Sequence, residues 1–233
     1  MIEAEWWDYD SVEELADAVA GDVGFIVESA LEARDAALIA LPGGPTAAAI
    51  YPKLAERKLP WKRVTIIPTD DRLAPMDSDL SNVRAIAKAF LPVGARVIPI
   101  ATGIEDYRLA GNSADARLQD FPWPPDLVWL GMGKDGHTAS IFAGPDLQDA
   151  LDAPKARRAV GVMPDPMPED APVARVTLTR ASILAARTLL ITITGDDKRE
   201  LLEGAIKDGH SSRLPIGRVL AEAEQPIDIH WAA

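Results

Sequence analysis

The chain is expected to fold as an α/β protein, with a mostly parallel sheet covered by helices on both faces. Three observations lead there. Short apolar runs of strand length alternate with segments of helical periodicity along nearly the whole sequence. Three polar or glycine-rich loops each follow directly on one of those runs, as ligand loops do at the carboxyl ends of parallel strands. The chain has 233 residues, 48% hydrophobic and 26% charged, which suits one large α/β domain with a sizeable core or two small ones.

The elements follow in order. Ser11–Ala33 carries Val12, Leu15, Val19, Val23, Ile26, Val27 and Leu31 at helical spacing, and Ser11 with Glu14 forms a capping-box start. Ala36–Leu41 is a buried strand entering the turn Pro42-Gly43-Gly44, and Thr46–Arg57 is helical. Arg63–Pro68 is a strand, Thr69–Asp79 a polar loop, Ser81–Leu91 a helix stopped by Pro92, and Arg96–Ile100 a strand. Asn112–Phe121 is a helix and Asp126–Leu130 a strand that runs into Gly131–Phe142. The proline-rich stretch 144–172 reads as irregular, with a strand at Ala159–Met163. Strands at Val173–Leu178 and Thr188–Thr194 flank a helical turn at Arg180–Leu184. Helices at Asp196–Lys207 and Ile216–Glu224 precede a last strand, Ile227–Trp231.

Composition narrows the function classes. With no cysteine, disulfides, thiolate metal sites and cysteine nucleophiles are excluded, and a reducing cytoplasm is the expected compartment. The first residues lack a basic region followed by an apolar one, so no signal peptide is read, and no apolar run reaches the roughly 18–20 residues of a membrane span. A net charge of −12 argues against nucleic-acid partners. An anionic ligand would need cations gathered locally, and Arg72, Arg175, Lys198 and Arg213 are the candidates.

The sharpest signal is Gly131-Met-Gly-Lys-Asp-Gly-His-Thr-Ala-Ser-Ile-Phe142. It places three glycines in six residues, then His137, directly after an apolar strand. A lone histidine is usually structural, but this one sits between Gly136 and Thr138 in a loop. Imidazole is the side chain matched to proton transfer near neutral pH. Asp135 can orient the loop, although Asp-Gly is also a common turn pair. Gly43-Gly44 ahead of Thr46 either makes an ordinary tight turn or lets backbone and a helix N-terminus approach a phosphate. Asp70-Asp71-Arg72 is either a solvated charged loop or a substrate grip, and Ser81-Asn82 reads as a helix cap. His210 and His230 read as structural or solvent-facing. No histidine pair has metal-ligand spacing and no Gly-x-Ser-x-Gly elbow is present.

Together, Gly43-Gly44-Pro-Thr46, Thr-Asp70-Asp-Arg72 with Ser81-Asn82, the His137 loop, Arg175-Val-Thr-Leu-Thr179, Thr194-Gly-Asp-Asp-Lys198 and Leu214-Pro215 resemble the 6-phosphogluconolactonases over nearly the whole chain. The resemblance implies a single domain over 1–233 with the Rossmann-like fold shared with sugar-phosphate isomerases and deaminases. It also implies hydrolysis of 6-phospho-D-glucono-1,5-lactone in the oxidative pentose phosphate pathway, with no metal or organic cofactor. The expected partner is that small sugar phosphate, with neither nucleic acid nor membrane, in a monomer or small homo-oligomer.

In this reading His137 and Asp135 are the catalytic pair. Gly43, Gly44, Thr46, Asp70, Arg72, Gly133, Arg175 and Lys198 bind substrate and phosphate. Three positions depart from the family pattern: Pro45 replaces the usual serine, Asp71 a glutamate, and Ala143 a proline. Two rival readings differ in chemistry. A glucosamine-6-phosphate deaminase would carry a glutamate where Phe142 stands. A non-catalytic sugar-phosphate sensor would bind without turnover.

Overall fold

The structure is a computed structural model, and residues 2–233 are described. Its centre is a seven-stranded sheet in the order β1-β10-β9-β6-β2-β3-β5, with every neighbouring pair parallel. The strands are β1 (Ala4–Tyr9), β2 (Ala37–Leu41), β3 (Val64–Pro68), β5 (Arg96–Val97), β6 (Leu127–Leu130), β9 (Thr188–Thr194) and β10 (Ile227–Ala232). A second, antiparallel sheet joins β4 (Asp70–Arg72), β8 (Arg175–Leu178) and β7 (Ala159–Val162) in the order β4-β8-β7.

The central strands β2, β3, β6 and β9 are mostly apolar because both faces are covered. The period of two sorts their side chains between two cores. Leu38 and Ala40 of β2, with Val128 and Leu130 of β6, enter one core. Ile39 and Leu41, with Leu127 and Trp129, enter the other. The second core is closed by α1 (Val12–Arg34), α2 (Pro45–Ala55) and α3 (Asn82–Phe90). The first is closed by α4 (Tyr107–Leu118), α5 (Leu147–Leu151), α6 (Arg180–Leu184), α7 (Asp196–Asp208), α8 (Pro215–Leu220) and the small sheet. Helix α1 starts as the sequence signals: Ser11 Oγ accepts the Glu14 amide at 3.1 Å.

Several expectations are corrected. Ala4–Tyr9 is an edge strand that the sequence reading left unassigned. Its Ala-Glu-Trp-Trp-Asp-Tyr run is exposed or half-buried, so it lacks the apolar signature of the interior strands. Asp70–Arg72 is a strand rather than part of a loop, paired with Arg175–Thr177 through β8. Helix α4 begins at Tyr107, where Asp106 accepts the Leu109 amide at 2.9 Å, instead of at Asn112. The stretch 144–172 contains α5 as well as β7, β5 keeps only Arg96–Val97, and α8 ends at Leu220.

Candidate active site

The loops after β2, β3, β6 and β9 meet beyond the carboxyl ends of the central strands and enclose a cleft of about 220 Å³. It is lined by Gly43, Gly44, Thr46, Asp70, Arg72, Gly133, His137, Arg175 and Lys198, so nine of the ten residues expected from the sequence converge there. The tenth, Asp135, does not line the cleft but touches His137. Arg213 is not among the lining residues.

Each side of the cleft is set by local chemistry. After β2, Gly44 takes φ 93, a left-handed conformation suited to glycine, and caps α2 with Pro45 in the first turn. The Tyr51 hydroxyl donates to the Pro42 carbonyl and fixes this turn from below. A Cβ on Gly43 would lie 2.0 Å from Asn82 Oδ1, so only glycine lets the two loops close together.

After β3, the two acids of Asp70-Asp71-Arg72 part company. The buried Asp71 carboxylate accepts the amides of Arg72 (2.9 Å), Asn82 (2.7 Å) and Val83 (3.2 Å), and the Ser81 hydroxyl (3.2 Å). Burial pushes its pKa up to about 6, against those backbone donors, which hold it down. Asp71 therefore anchors the start of α3 and does not enter the cleft. Asp70 faces the other way and accepts the Ser140 hydroxyl at 2.6 Å, tying β4 to the histidine loop. Arg72 donates to Asn82 Oδ1 and, at 3.3 Å, to the Leu80 carbonyl. Asn82 is thus more than a capping residue: it holds Arg72 and lines the cleft, a role its helix-start position did not reveal.

After β6, the loop is closed by Gly133 N–H to His137 O (2.9 Å), Gly136 N–H to Gly133 O (3.0 Å) and the Thr138 hydroxyl to Gly131 O (2.8 Å). The Ile216 amide donates to Gly136 O at 3.0 Å, and a Cβ on Gly136 would meet Leu214 at 2.7 Å. The Leu214-Pro215 segment therefore buttresses the loop from behind. His137 Nδ1 lies 2.5 Å from Asp135 Oδ1. Partial burial raises the pKa of Asp135, but the His137 hydrogen bond and charge outweigh it and hold the carboxyl below its ordinary value. The imidazole stacks on Phe142 at 4.2 Å, and the Arg175 guanidinium lies over the other part of that assembly, 5.0 Å from the Phe142 centroid. Ala139 adopts φ 48, an uncommon strain that turns the chain so Ser140 reaches Asp70 and Phe142 returns to His137.

Arg175 and Lys198 complete the cationic side. Burial, then Arg72 beside it, lowers the pKa of Arg175; burial, then Lys134, lowers that of Lys198. Among the described residues the buried Nε groups of Arg72 and Arg175 have no hydrogen-bond partner, a cost that a nearby anion offsets electrostatically. Met132, within the histidine loop, and Thr192 of β9 also line the cleft, and nothing in the sequence surroundings of Thr192 marked it. His230, by contrast, is buried between β1 and α1, stacked on Tyr9, as its structural reading expected. Among the described residues, no group of three or more His, Asp or Glu converges in a manner suited to a metal ion.

A parallel sheet with an oriented histidine and clustered cations at its carboxyl edge defines an α/β protein built to act on a small anionic substrate. Comparison with known proteins makes the class specific: the chain belongs to the glucosamine-6-phosphate isomerase/6-phosphogluconolactonase family, whose model matches residues 10–231. It is 37% identical to a 6-phosphogluconolactonase of Rhizobium meliloti over 228 residues, covering 96% of this chain and 97% of that one. It is 36% identical to one of Mesorhizobium japonicum, covering 97% and 94%. The crystal structure of a 6-phosphogluconolactonase from Shewanella baltica superposes with a TM-score of 0.91 at 29% identity, over 100% of both chains.

Proposed function

We propose that the chain hydrolyses 6-phospho-D-glucono-1,5-lactone to 6-phospho-D-gluconate, with His137 as general base. The observation that carries the chemistry is the Asp135–His137 pair set in the same cleft as Arg72, Arg175 and Lys198. The full-length similarity to 6-phosphogluconolactonases supports the substrate.

Asp135 accepts the Nδ1 proton, which leaves the Nε2 lone pair as the base. Nε2 takes a proton from water as the water oxygen attacks C1 of the lactone. The carbonyl π electrons move onto oxygen, forming a tetrahedral oxyanion. When the C1–O5 bond breaks, the electrons return to the carbonyl and the imidazolium delivers its proton to O5. The acid so formed ionises to the carboxylate. Positioned proton transfer of this kind contributes about 10²–10⁴-fold.

Arg72, Arg175 and Lys198 supply the positive field for the 6-phosphate. The N-terminal turn of α2, entered through Gly43 and Gly44, adds backbone donors, with Thr46 beside them. Asp70 accepts sugar hydroxyls. Backbone amides of the 131–137 loop steady the oxyanion. Pro45 offers neither a hydroxyl nor an N–H at this cradle, which leaves the phosphate more dependent on the three cationic side chains.

Phe142 favours hydrolysis over the deaminase reading. The face of His137 that it covers is apolar, and no carboxylate stands there to shuttle protons during ring opening. The match of the family model over residues 10–231 supports reading the chain as one functional unit. Among the described residues no helix is long and apolar enough to cross a membrane; a cytoplasmic location is part of the proposed reading. The test is turnover of freshly generated 6-phosphogluconolactone beside ammonia release from glucosamine 6-phosphate. Rapid lactone hydrolysis without ammonia supports the proposal, and ligand binding without turnover of either compound overturns it.

A further inference from the structure

The opposite end of the sheet carries a second concentration of positive charge. A groove of about 640 Å³ runs beneath the amino-terminal ends of β2, β3, β5, β6 and β9, across the sheet from the catalytic cleft. Six cationic side chains and three carboxylates line it, in a chain whose net charge is −12. Such a local reversal of sign focuses the field on anions.

The cations are of two kinds. Some are held in place from within. The buried Asp126 carboxylate accepts Arg34 at 2.5 Å, lies 3.5 Å from Arg187, and is itself fixed by the Leu38 amide at 2.9 Å. Arg117 donates to the Pro99 carbonyl at 2.7 Å. These arginines are oriented in advance, and each keeps guanidinium donors beyond the bonds described. Arg63 pairs with the exposed Asp35, whereas Lys62 and Arg96 are uncommitted: both are exposed and form no ion pair or side-chain hydrogen bond among the described residues.

One wall is different in character. Phe121 and Trp123 are half-buried against the core with Pro122 exposed between them, and Trp123 carries the Arg158 guanidinium over its ring at 4.4 Å. Rigid aromatic and proline surface beside donors for phosphate oxygens matches a ligand with a flat ring at one end and phosphate at the other.

We propose that this groove is a second anion site, distinct from the catalytic cleft, for a ligand of the nucleoside-phosphate class. The phosphates lie between Lys62 and Arg96, with Arg34 and Arg187 behind them. The ring lies along the Phe121–Trp123 wall.

The test is calorimetric titration of the full chain with adenosine diphosphate and, separately, with inorganic pyrophosphate. Wild-type protein is expected to bind the nucleotide, more weakly as ionic strength rises. The double variant K62E/R96E is expected to bind it at least about tenfold more weakly, with lactonase turnover unchanged, because both side chains are exposed and remote from the cleft. K62Q/R96Q provides the milder change should the charge reversal impair folding. R72A, altered in the catalytic cleft, is expected to retain nucleotide binding. Absence of nucleotide binding to wild type would overturn the proposal. So would binding lost in R72A but kept in K62E/R96E, which would assign it to the catalytic cleft. Pyrophosphate binding as tight as the nucleotide's would overturn the role of the aromatic wall.

Discussion

Asp135 Oδ1 stands 2.5 Å from His137 Nδ1, while Phe142 packs on the same imidazole at 4.2 Å. One contact fixes the tautomer and the other fixes the plane of the ring. The carboxylate is 60% exposed and the imidazole 29% exposed, so the pair works at the mouth of the cleft and not in a sealed core. For that reason D135N is expected to lower kcat by roughly ten- to a hundredfold while KM changes little. Steady-state kinetics on the lactone check this, and equal loss in KM alone would place Asp135 in binding instead.

Gly133 gives a sharper geometric prediction. A Cβ there would lie 2.2 Å from the His137 ring and 2.7 Å from Asp135 Oδ1. Those are side-chain atoms in a partly exposed loop, so the fold can absorb the change, but the catalytic pair cannot. G133A is expected to keep a cooperative melt and lose most turnover, a fall of about 10²-fold or more. Circular dichroism melts beside turnover separate the two effects.

Arg72 is held by Asn82 and Leu80 and faces the cleft. If it grips the phosphate, R72A reduces kcat/KM for the phosphorylated lactone by about 10²–10³-fold. Hydrolysis of unphosphorylated gluconolactone is expected to be nearly unchanged. A comparable loss on both lactones would move Arg72 from phosphate binding to the reacting centre.

The remote His230 contributes one term to the pH dependence of stability, opposed over part of the same range by Asp71, whose buried carboxyl has a pKa raised to about 6. It is 2% exposed, with the Tyr9 hydroxyl 2.9 Å from Nδ1 and Asp22 3.7 Å from Nε2, and burial pulls its pKa from 6.5 to about 4. Between those values the unfolded chain holds a proton on this histidine that the folded chain does not. Stability therefore rises with pH through that window and is lost as pH falls from about 6.5 to 4, by about 3 kcal/mol from this group. Comparing urea denaturation of wild type and H230F across pH 4–7 isolates the term. The wild-type stability minus that of H230F is expected to rise with pH through this window, the Asp71 contribution being common to both proteins.

The architecture was largely legible because β2, β3, β6 and β9 are buried on both faces and so are mostly apolar, broken only by threonines in β3 and β9. β1 was not, since an edge strand of a parallel sheet needs pairing to one neighbour only and tolerates Glu5 and Asp8. Nor was β4, whose three charged residues read as a loop until β8 pairs with them. The site was legible through its glycines and its histidine, which mark conformations that other residues reach poorly. The division of labour between Asp70 and Asp71 was hidden, because adjacent strand residues point to opposite faces and only the fold says which face is the cleft. The same holds for Ser140, whose hydroxyl reaches Asp70 across 70 positions of sequence.

The most direct measurement is single-turnover hydrolysis of 6-phosphogluconolactone by H137Q, beside its melting curve and its affinity for 6-phosphogluconate. The account predicts a fall of about 10²–10⁴-fold in the rate with folding and product affinity preserved. A folded H137Q enzyme that turns over at near the wild-type rate would contradict the assignment of His137 as the base.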